Sequence, residues 1–320
     1  MTKPTIRFLP NDSRNERSVW LQKHRNNVVT KYGEDGIIEK IFDVIGIKNK
    51  TLCDIGASDG KHHSNSYNLI TNNGWRGILF EPARDRCKRL NKLYQRNQKV
   101  EILQSYVGLD TESNLDYYLK QLKVPVPKNF DFLSIDIDGC DVHVWNDIQQ
   151  HRPRVVCIEF NPLVPLDVYL LQAKSLAVNN GNSLLAIYSE AQKNGYELVA
   201  TTKLNAFFVD RPYFSEFNIP DNSPIAMHFL GDLETKIAMS YDGHLFLVGN
   251  SSHPWKRYEI SEEQIQILPP EYRKFKNETK VFFPLEKEVT QKPEKLGKIK
   301  HTVKLGLKSF RDFLQTKIWG

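Results

Sequence analysis

Asp136, Asp138 and Asp141 fall within six residues of one another in Ser134-Ile-Asp-Ile-Asp-Gly-Cys-Asp-Val-His-Val-Trp145. The apolar run Phe130-Asp-Phe-Leu-Ser-Ile-Asp136 reads as a strand. Continued extended, it puts Asp136 and Asp138 on one face, with Asp141 past a glycine turn. Carboxylates gathered this closely repel one another unless something cationic sits among them. Two cations suit them: a divalent metal, which takes hard oxygen ligands, or the sulfonium and amino group of a cationic cofactor. Asp-x-Asp-Gly also resembles the opening of a calcium loop. The loop glutamate is out of register, however, because Asn146 or Asp147 stands there, so an EF-hand is excluded. A later run ends in Ile158-Glu159-Phe160-Asn161-Pro162. If the two strands are neighbours, Glu159 and Asn161 come close to Asp136 and Asp138. The group then makes either an octahedral oxygen site or a polar crevice that hydrogen-bonds substrate.

A second stretch with chemical content is Asp54-Ile-Gly-Ala-Ser-Asp-Gly60, which follows the apolar start Leu52-Cys53. Glycines at Gly56 and Gly60 let a chain turn sharply after a strand and approach a ligand closely. Glu81 ends the run Gly77-Ile-Leu-Phe-Glu81, 25 positions beyond Gly56. An acidic residue there can take both hydroxyls of a ribose. The spacing Gly56-Ala-Ser-Asp-Gly60 does not match the Gly-x-Gly-x-x-Gly of dinucleotide sites. His143, beside the carboxylates, is a candidate general base or an ordinary helix-face residue. His62 and His63 follow the glycine loop and are candidate ligand contacts, and His228 is a further candidate.

The elements that must position these residues alternate. A helix runs from about Lys31 to Gly46, with Ile37, Ile38, Ile41, Phe42 and Ile45 at helical spacing. Strands are expected at Leu52–Ala57, Gly77–Glu81, Val100–Val107, Phe130–Asp136, Val155–Glu159, Tyr196–Thr201 and Asn205–Val209. Helices are expected at Ser66–Thr71, Arg84–Arg96, Val142–Gln149 and Ser183–Lys193. Alternation of this kind implies a mainly parallel sheet covered on both faces. Only Thr202-Lys203-Leu204 joins the last two strands, too short for a parallel crossover, so that pair should be antiparallel. Beyond residue 210 the rhythm breaks. Asp242-Gly243 marks a hairpin with arms Ile237-Ala-Met-Ser240 and Leu245-Phe-Leu-Val248.

The 320 residues suffice for one large domain with an accessory region. No apolar run is long enough for a transmembrane helix, and the start of the chain lacks the apolar core of a secretory signal. Cys53, Cys87, Cys140 and Cys157 form no Cys-x-x-Cys pair, and buried reduced thiols fit a reducing compartment. The net charge is +6, and residues 287–320 alone hold nine Lys or Arg against three Asp or Glu. The rest of the chain is therefore neutral, which argues against a nucleic-acid surface on the body.

DIGASDG, GWRGILFEP, DFLSIDIDGCDVHVW, RPRVVCIEFNP and GYELVATTKLNAFFV, in this order, resemble the FkbM-type S-adenosylmethionine-dependent methyltransferases. YGEDGIIEKIF resembles that family's entry helix, and the likeness spans about residues 30–210. It implies a Rossmann-like class I methyltransferase fold, a seven-stranded mostly parallel sheet with a terminal antiparallel hairpin, plus a C-terminal accessory region. It implies methyl transfer from S-adenosylmethionine to a hydroxyl of a sugar or glycan, such as a surface-polysaccharide precursor. Asp54, Gly56, Ala57 and Gly60 would form the cofactor loop and Glu81 would hold the ribose. Asp136 and Asp138 would close the methionine end and face the acceptor, with Asp138 or His143 as base. Related sugar O-methyltransferases hold Mg2+ with acidic residues after the fourth and fifth strands. Asp138, Glu159 and Asn161 stand in comparable places here, although Asn161 departs from a fully acidic set. The alternative is an inactive chain of the same fold, a binding or scaffold protein in a glycan-assembly complex.

The organisation expected is an N-terminal arm (1–28), a methyltransferase domain (29–210), an accessory acceptor region (211–286) and a basic tail (287–320). In the tail Leu296, Ile299, Val303, Leu307, Phe310, Leu314 and Ile318 are spaced by three or four. They make one helical stripe, with Lys298, Lys304, Lys308 and Arg311 off it. Such a helix suits an anionic membrane surface, or packs on the body or on a partner. The expected location is cytoplasmic, with peripheral contact to the inner face of a membrane through residues 290–320.

Overall fold

The computed structural model describes residues 5–6, 11–253 and 258–273. The seven apolar runs form seven strands: β1 (Thr51–Ile55), β2 (Arg76–Phe80), β3 (Val100–Leu103), β4 (Phe132–Ile135), β5 (Val155–Glu159), β6 (Tyr196–Thr201) and β7 (Asn205–Asp210). β1, β4 and most of β5 are buried on both faces, as continuous apolar runs require in a parallel sheet. The sheet order is β3-β2-β1-β4-β5-β7-β6. Neighbours from β3 to β5 pair in parallel, and β7 runs antiparallel to both β5 and β6. This is a Rossmann-like fold, a seven-stranded mostly parallel sheet with a terminal antiparallel hairpin. The three-residue link 202–204 dictates its last step, because it has room to reverse the chain but not to cross over.

Six helices flank the sheet: α1 (Glu34–Ile45), α2 (Tyr67–Thr71), α3 (Arg84–Tyr94), α4 (Leu115–Gln121), α5 (Asp141–Asn146) and α6 (Leu184–Lys193). α6 starts where Ser183 accepts from the Ala186 N–H, and α4 where Asn114 accepts from the Tyr117 N–H. The apolar face of α1 buries Ile37, Ile38, Ile41 and Phe42, and Phe42 meets Trp75 edge-on at 5.0 Å. Ahead of α1, the stretch 15–24 lies on the body. Leu21 is buried, the Asn15 N–H donates to the Ala226 carbonyl, and the Trp20 indole donates to the Phe217 carbonyl.

The amino-terminal end of the sheet is closed by a buried ion pair. Arg154 donates to Asp131 at 2.7 Å and to the Ile45 and Gly46 carbonyls, while Asp131 accepts the N–H groups of Lys48, Asn49 and Lys50. The carboxyl-terminal end is where chemistry collects. Strand order reverses between β1 and β4, which opens a crevice beyond their ends.

Three strands are shorter than their apolar runs suggest, and β3 ends at Leu103 rather than Val107. β1 stops at Ile55 because the Gly56 and Ala57 N–H groups both turn to the Phe80 carbonyl. β4 stops at Ile135, so the segment carrying Asp136 and Asp138 is not extended. Asp138 has a left-handed backbone, φ +61°, and the turn, rather than a shared strand face, brings the two carboxylates together.

β8 (Thr235–Met239) and β9 (Leu245–Gly249) form a separate antiparallel hairpin around Asp242-Gly243. Among the described residues, those up to 237 with 247–261 form one unit, and 238–246 with 262–273 a second. In the second, Gln266 exchanges hydrogen bonds with the Leu245 backbone. No helix among the described residues is long and apolar enough to cross a membrane. The amphipathic stripe of residues 290–320 lies outside the described residues.

Candidate active site

The turn after β1 is held by contacts within the protein. Gly56 has φ +92°, and a Cβ there would come within 1.9 Å of the Asp136 carbonyl oxygen. A Cβ on Gly60 would meet Leu90 and Tyr94 of α3. Along the turn, the N–H groups of Gly56 and Ala57 go to the Phe80 carbonyl, that of Ser58 to Glu81, and that of Gly60 to the Ala57 carbonyl. The N–H groups of Lys61 and His62 go to Asp59, and that of His63 to the Val29 carbonyl. The amides of this turn are largely spent on protein acceptors.

Glu81 follows β2 and is buried. Its Oε2 accepts from the Ser58 N–H at 2.9 Å and its Oε1 from the Ala83 N–H at 2.7 Å. Each oxygen keeps a lone pair for a ligand hydroxyl. Asp54, one residue before the end of β1, accepts from the Ser66 hydroxyl at 2.6 Å. Burial, opposed by that bond and aided by the charge of Glu81, raises Asp54 to about 6.

Asp136, Asp138 and Glu159 bring carboxylate oxygens within 4.8 Å of one another. Glu159 is half-buried, whereas Asp136 and Asp138 open to the crevice. Protein still crowds the other sides of Asp136. This dehydration, with repulsion from Asp141 and Asp138, pushes its pKa up. Dehydration and then Asp136, Asp141 and Asp138 push Glu159 up as well. At neutral pH the group therefore retains a proton or attracts a cation. Asp141 is not part of it. Its two oxygens point inward and accept the N–H groups of Ile137 and Gly139, which holds the β4 turn in shape.

Over that turn lies the irregular segment 163–182. The Asn182 amide donates to the Gly139 carbonyl at 2.7 Å. Gln172, buried, donates to the Val178 carbonyl and accepts from the N–H groups of Asn180 and Gly181. A cavity of about 390 Å³ results, lined by Asp138, Glu159, Asn161, Asn179, Asn180 and Phe160 among others. Asn161 lines it but is partly committed: its Oδ1 accepts from the Leu163 N–H and its amide donates to the Asn180 carbonyl.

His143 is not brought into the acidic group. It lies on α5, with Nε2 2.7 Å from the Gln172 carbonyl. His62 pairs with Asp59 on the surface, and His63 takes a left-handed backbone, φ +60°. His228 is buried, beside Thr201. All four cysteines are buried and free, and burial pushes the Cys53 and Cys157 thiols up, so they are inert.

Several residues of this end carry no separate signal in the sequence. Glu34 is buried at the start of α1 and accepts from the Tyr32 N–H, the Thr202 hydroxyl and the Asn205 amide. It links the entry helix to the β6–β7 link, and Asn205 is the register partner of Glu159. Asp35 gathers the N–H groups of Val28, Val29 and Thr30. Acidic residues opening a helix after Tyr-Gly could have signalled such caps. Asn65 is buried, its amide facing Ser134 and Cys157, and its Oδ1 has no hydrogen-bond partner among the described residues.

No family model matches this chain, and no curated protein matches it. Similar solved structures include a SAM dependent methyltransferase from Aquifex aeolicus, at 14% identity and TM-score 0.34, with 53% of this chain and 87% of that one covered. Another is the N-terminal domain of EvdMO1 in the presence of SAH and D-fucose, at 11% identity and TM-score 0.35, with 56% and 82% covered. Monomeric WbdD matches at 11% identity and TM-score 0.33, with 54% of this chain and 39% of that one covered.

Proposed function

We propose that this chain is an S-adenosylmethionine-dependent O-methyltransferase acting on a hydroxyl of a sugar or glycan. The observation that carries the reading is the character of the crevice, which offers carboxylates where a phosphate-bearing cofactor would need free N–H donors. A dinucleotide places its pyrophosphate on unpaired amides after β1. Here those amides are largely taken, and acidic side chains stand at or just beyond the ends of β1, β2, β4 and β5. A cofactor without phosphates and with a positive charge suits these walls. The buried Oδ1 of Asn65, without a partner among the described residues, is an acceptor that a ligand N–H or O–H would satisfy.

In this reading Gly56, Ala57 and Gly60 form the wall of the cofactor site, Asp54 lies beneath it, and the free lone pairs of Glu81 take the ribose hydroxyls. Asp136 faces the cationic end. When bound, the cofactor supplies a methyl group already activated by its sulfonium. The protein's task is alignment, worth roughly 7–11 kcal/mol when the reacting atoms are well oriented. Asn161, Asn179 and Asn180 offer amides to sugar hydroxyls in the adjoining cavity. Asp138, open to that cavity, accepts the hydroxyl proton, an effect of about 10²–10⁴-fold for a general base. Asp136, Asp138 and Glu159 are also a hard oxygen set that fits Mg2+. Asn161 has one lone pair left for it. A metal ion there would stabilise the alkoxide.

The test is calorimetric titration of the full chain with S-adenosylmethionine, with and without Mg2+. Micromolar binding, weakened about tenfold or more in Glu81→Gln, is expected. Methyl transfer to a saccharide panel should then be lost in Asp138→Asn while cofactor affinity holds. No binding under any condition would overturn the reading and leave a non-catalytic protein of the same fold.

A further inference from the structure

An aromatic contact lies between the acidic crevice and a second, oppositely charged region. Phe160 lines the acidic cavity and meets the His228 ring edge-on at 5.0 Å. His228 lines another cavity, of about 540 Å³, which also holds Arg14, Arg25 and Lys203. A third, of about 400 Å³, shares Arg25 and Lys203 with it and adds Lys31. Two adjoining hollows are thus bordered by four cations.

These cations are unevenly neutralised. Arg14 is taken by Asp12, with bonds of 2.8 and 2.6 Å. Glu34 acts on Arg25, but its buried carboxylate is already bonded to Tyr32, Thr202 and Asn205. Arg25, Lys31 and Lys203 make no side-chain hydrogen bond or ion pair among the described residues. The Lys31 and Lys203 ammonium groups both lie over the Tyr32 ring, at 5.2 and 5.9 Å. His228 registers the resulting field: burial first, and then Arg14 and Arg25, push it down to about 4. It is therefore neutral at physiological pH. Because the Thr201 hydroxyl donates to the Met227 carbonyl, it accepts from His228 Nδ1–H, which leaves Nε2 as an acceptor. Phe229, Leu230 and Leu233 add an apolar wall.

We propose that these adjoining hollows bind a phosphate or diphosphate group carried by the methyl acceptor, so that the acceptor is a phosphorylated saccharide rather than a neutral sugar. The proposal rests on the methyltransferase reading for the word acceptor, and on the cations for the anion. Three free cations around one opening exceed what a single carboxylate would neutralise. Arg and Lys are the side chains that phosphate oxygens select. Asn205 is the register partner of Glu159 and the Phe160 N–H donates to the Leu204 carbonyl, so Lys203 stands beside the end of β5 that carries the acidic group; the acceptor's phosphate would lie on Arg25 and Lys203, with a hydroxyl toward Asp138.

The full chain is titrated with inorganic pyrophosphate, with glucose 1-phosphate and with glucose, and separately with S-adenosylmethionine. Pyrophosphate and glucose 1-phosphate should bind and glucose should not. Binding should weaken about tenfold or more in the Arg25→Gln, Lys203→Gln double variant, and recover in Arg25→Lys, Lys203→Arg, where the charge remains. Both positions are exposed, so the variants should keep the wild-type melting temperature. No pyrophosphate binding, or binding equal in the Gln variant, overturns the anion site. Pyrophosphate binding without S-adenosylmethionine binding upholds the anion site and overturns the methyltransferase reading, whereas the reverse result removes the anion site alone.

Discussion

Gly56 and Gly46 both have positive φ, +92° and +66°, yet they differ in what surrounds them. A Cβ on Gly46 would meet nothing within 4 Å, while on Gly56 it would strike the Asp136 carbonyl at 1.9 Å. Gly46 has ψ 154°, a backbone region that only glycine readily adopts, so Gly46→Ala should cost that strain alone, about 1–3 kcal/mol. Gly56→Ala adds an overlap between two backbones and should cost roughly 3 kcal/mol or more. It should also displace Asp136 and weaken cofactor binding. Urea denaturation of the two variants measures the difference, and equal losses would mean that the turn relaxes freely. The pair also shows what single residues disclose. Gly56 is conspicuous in the sequence as a glycine after a strand, and close approach to a ligand is the natural expectation. The close approach in the structure is to the end of β4, a partner 80 positions away that no local pattern identifies.

At the scale of elements, the site depends on an irregular segment more than on helices. Residues 163–182 have no helix or strand, yet Gln172 and Asn182 tie them to each other and to Gly139. Gln172→Ala would leave the N–H groups of Asn180 and Gly181 and the Val178 carbonyl without their partner. Leaving such groups unmade costs about 1–3 kcal/mol each when they stay dry. Water entry limits the total, so a loss of roughly 3 kcal/mol is expected. Faster proteolysis within 163–182 should accompany it, with a larger effect on acceptor binding than on cofactor binding. Limited proteolysis with mass analysis reads the first effect. The strands and most helices were legible in the sequence, because apolar periodicity and loop length act over a few residues; α4 was not. This segment was not, because its order comes from side-chain amides meeting backbone groups of other segments.

For the whole molecule, the crowding of acids at one end of the sheet sets a pH dependence. Asp54 stands at about 6, and Asp136 and Glu159 are raised, so the folded protein holds more protons than the unfolded chain across the interval above the usual carboxylate range. Stability then falls as pH rises from about 4 to 7, with Asp54 alone worth about 3 kcal/mol. On the acid side the sign reverses. Burial raises Asp59 and Asp116, but bonds from His62 and from His151 with backbone amides outweigh it, leaving Asp59 at about 2 and Asp116 lowered. Their contribution is lost as pH falls below the usual carboxylate range. Thermal melts should show greatest stability near about pH 4, and Mg2+ should raise the melting temperature more at neutral pH than there. A curve that rises from pH 5 to neutral would contradict the crowding. The apolar runs, their alternation with helical patterns and the three-residue link 202–204 determined the seven strands and the antiparallel last pair, since each is a local property of the chain. Only the tertiary structure decided that Asp138 enters the acidic group through a left-handed turn, that Asp141 faces inward and that His143 turns to Gln172. It alone gathered Arg25, Lys31 and Lys203 around neighbouring hollows. Contacts across 20 to 180 positions depend on how helices and loops pack on the sheet, and that packing has no signature within any one stretch.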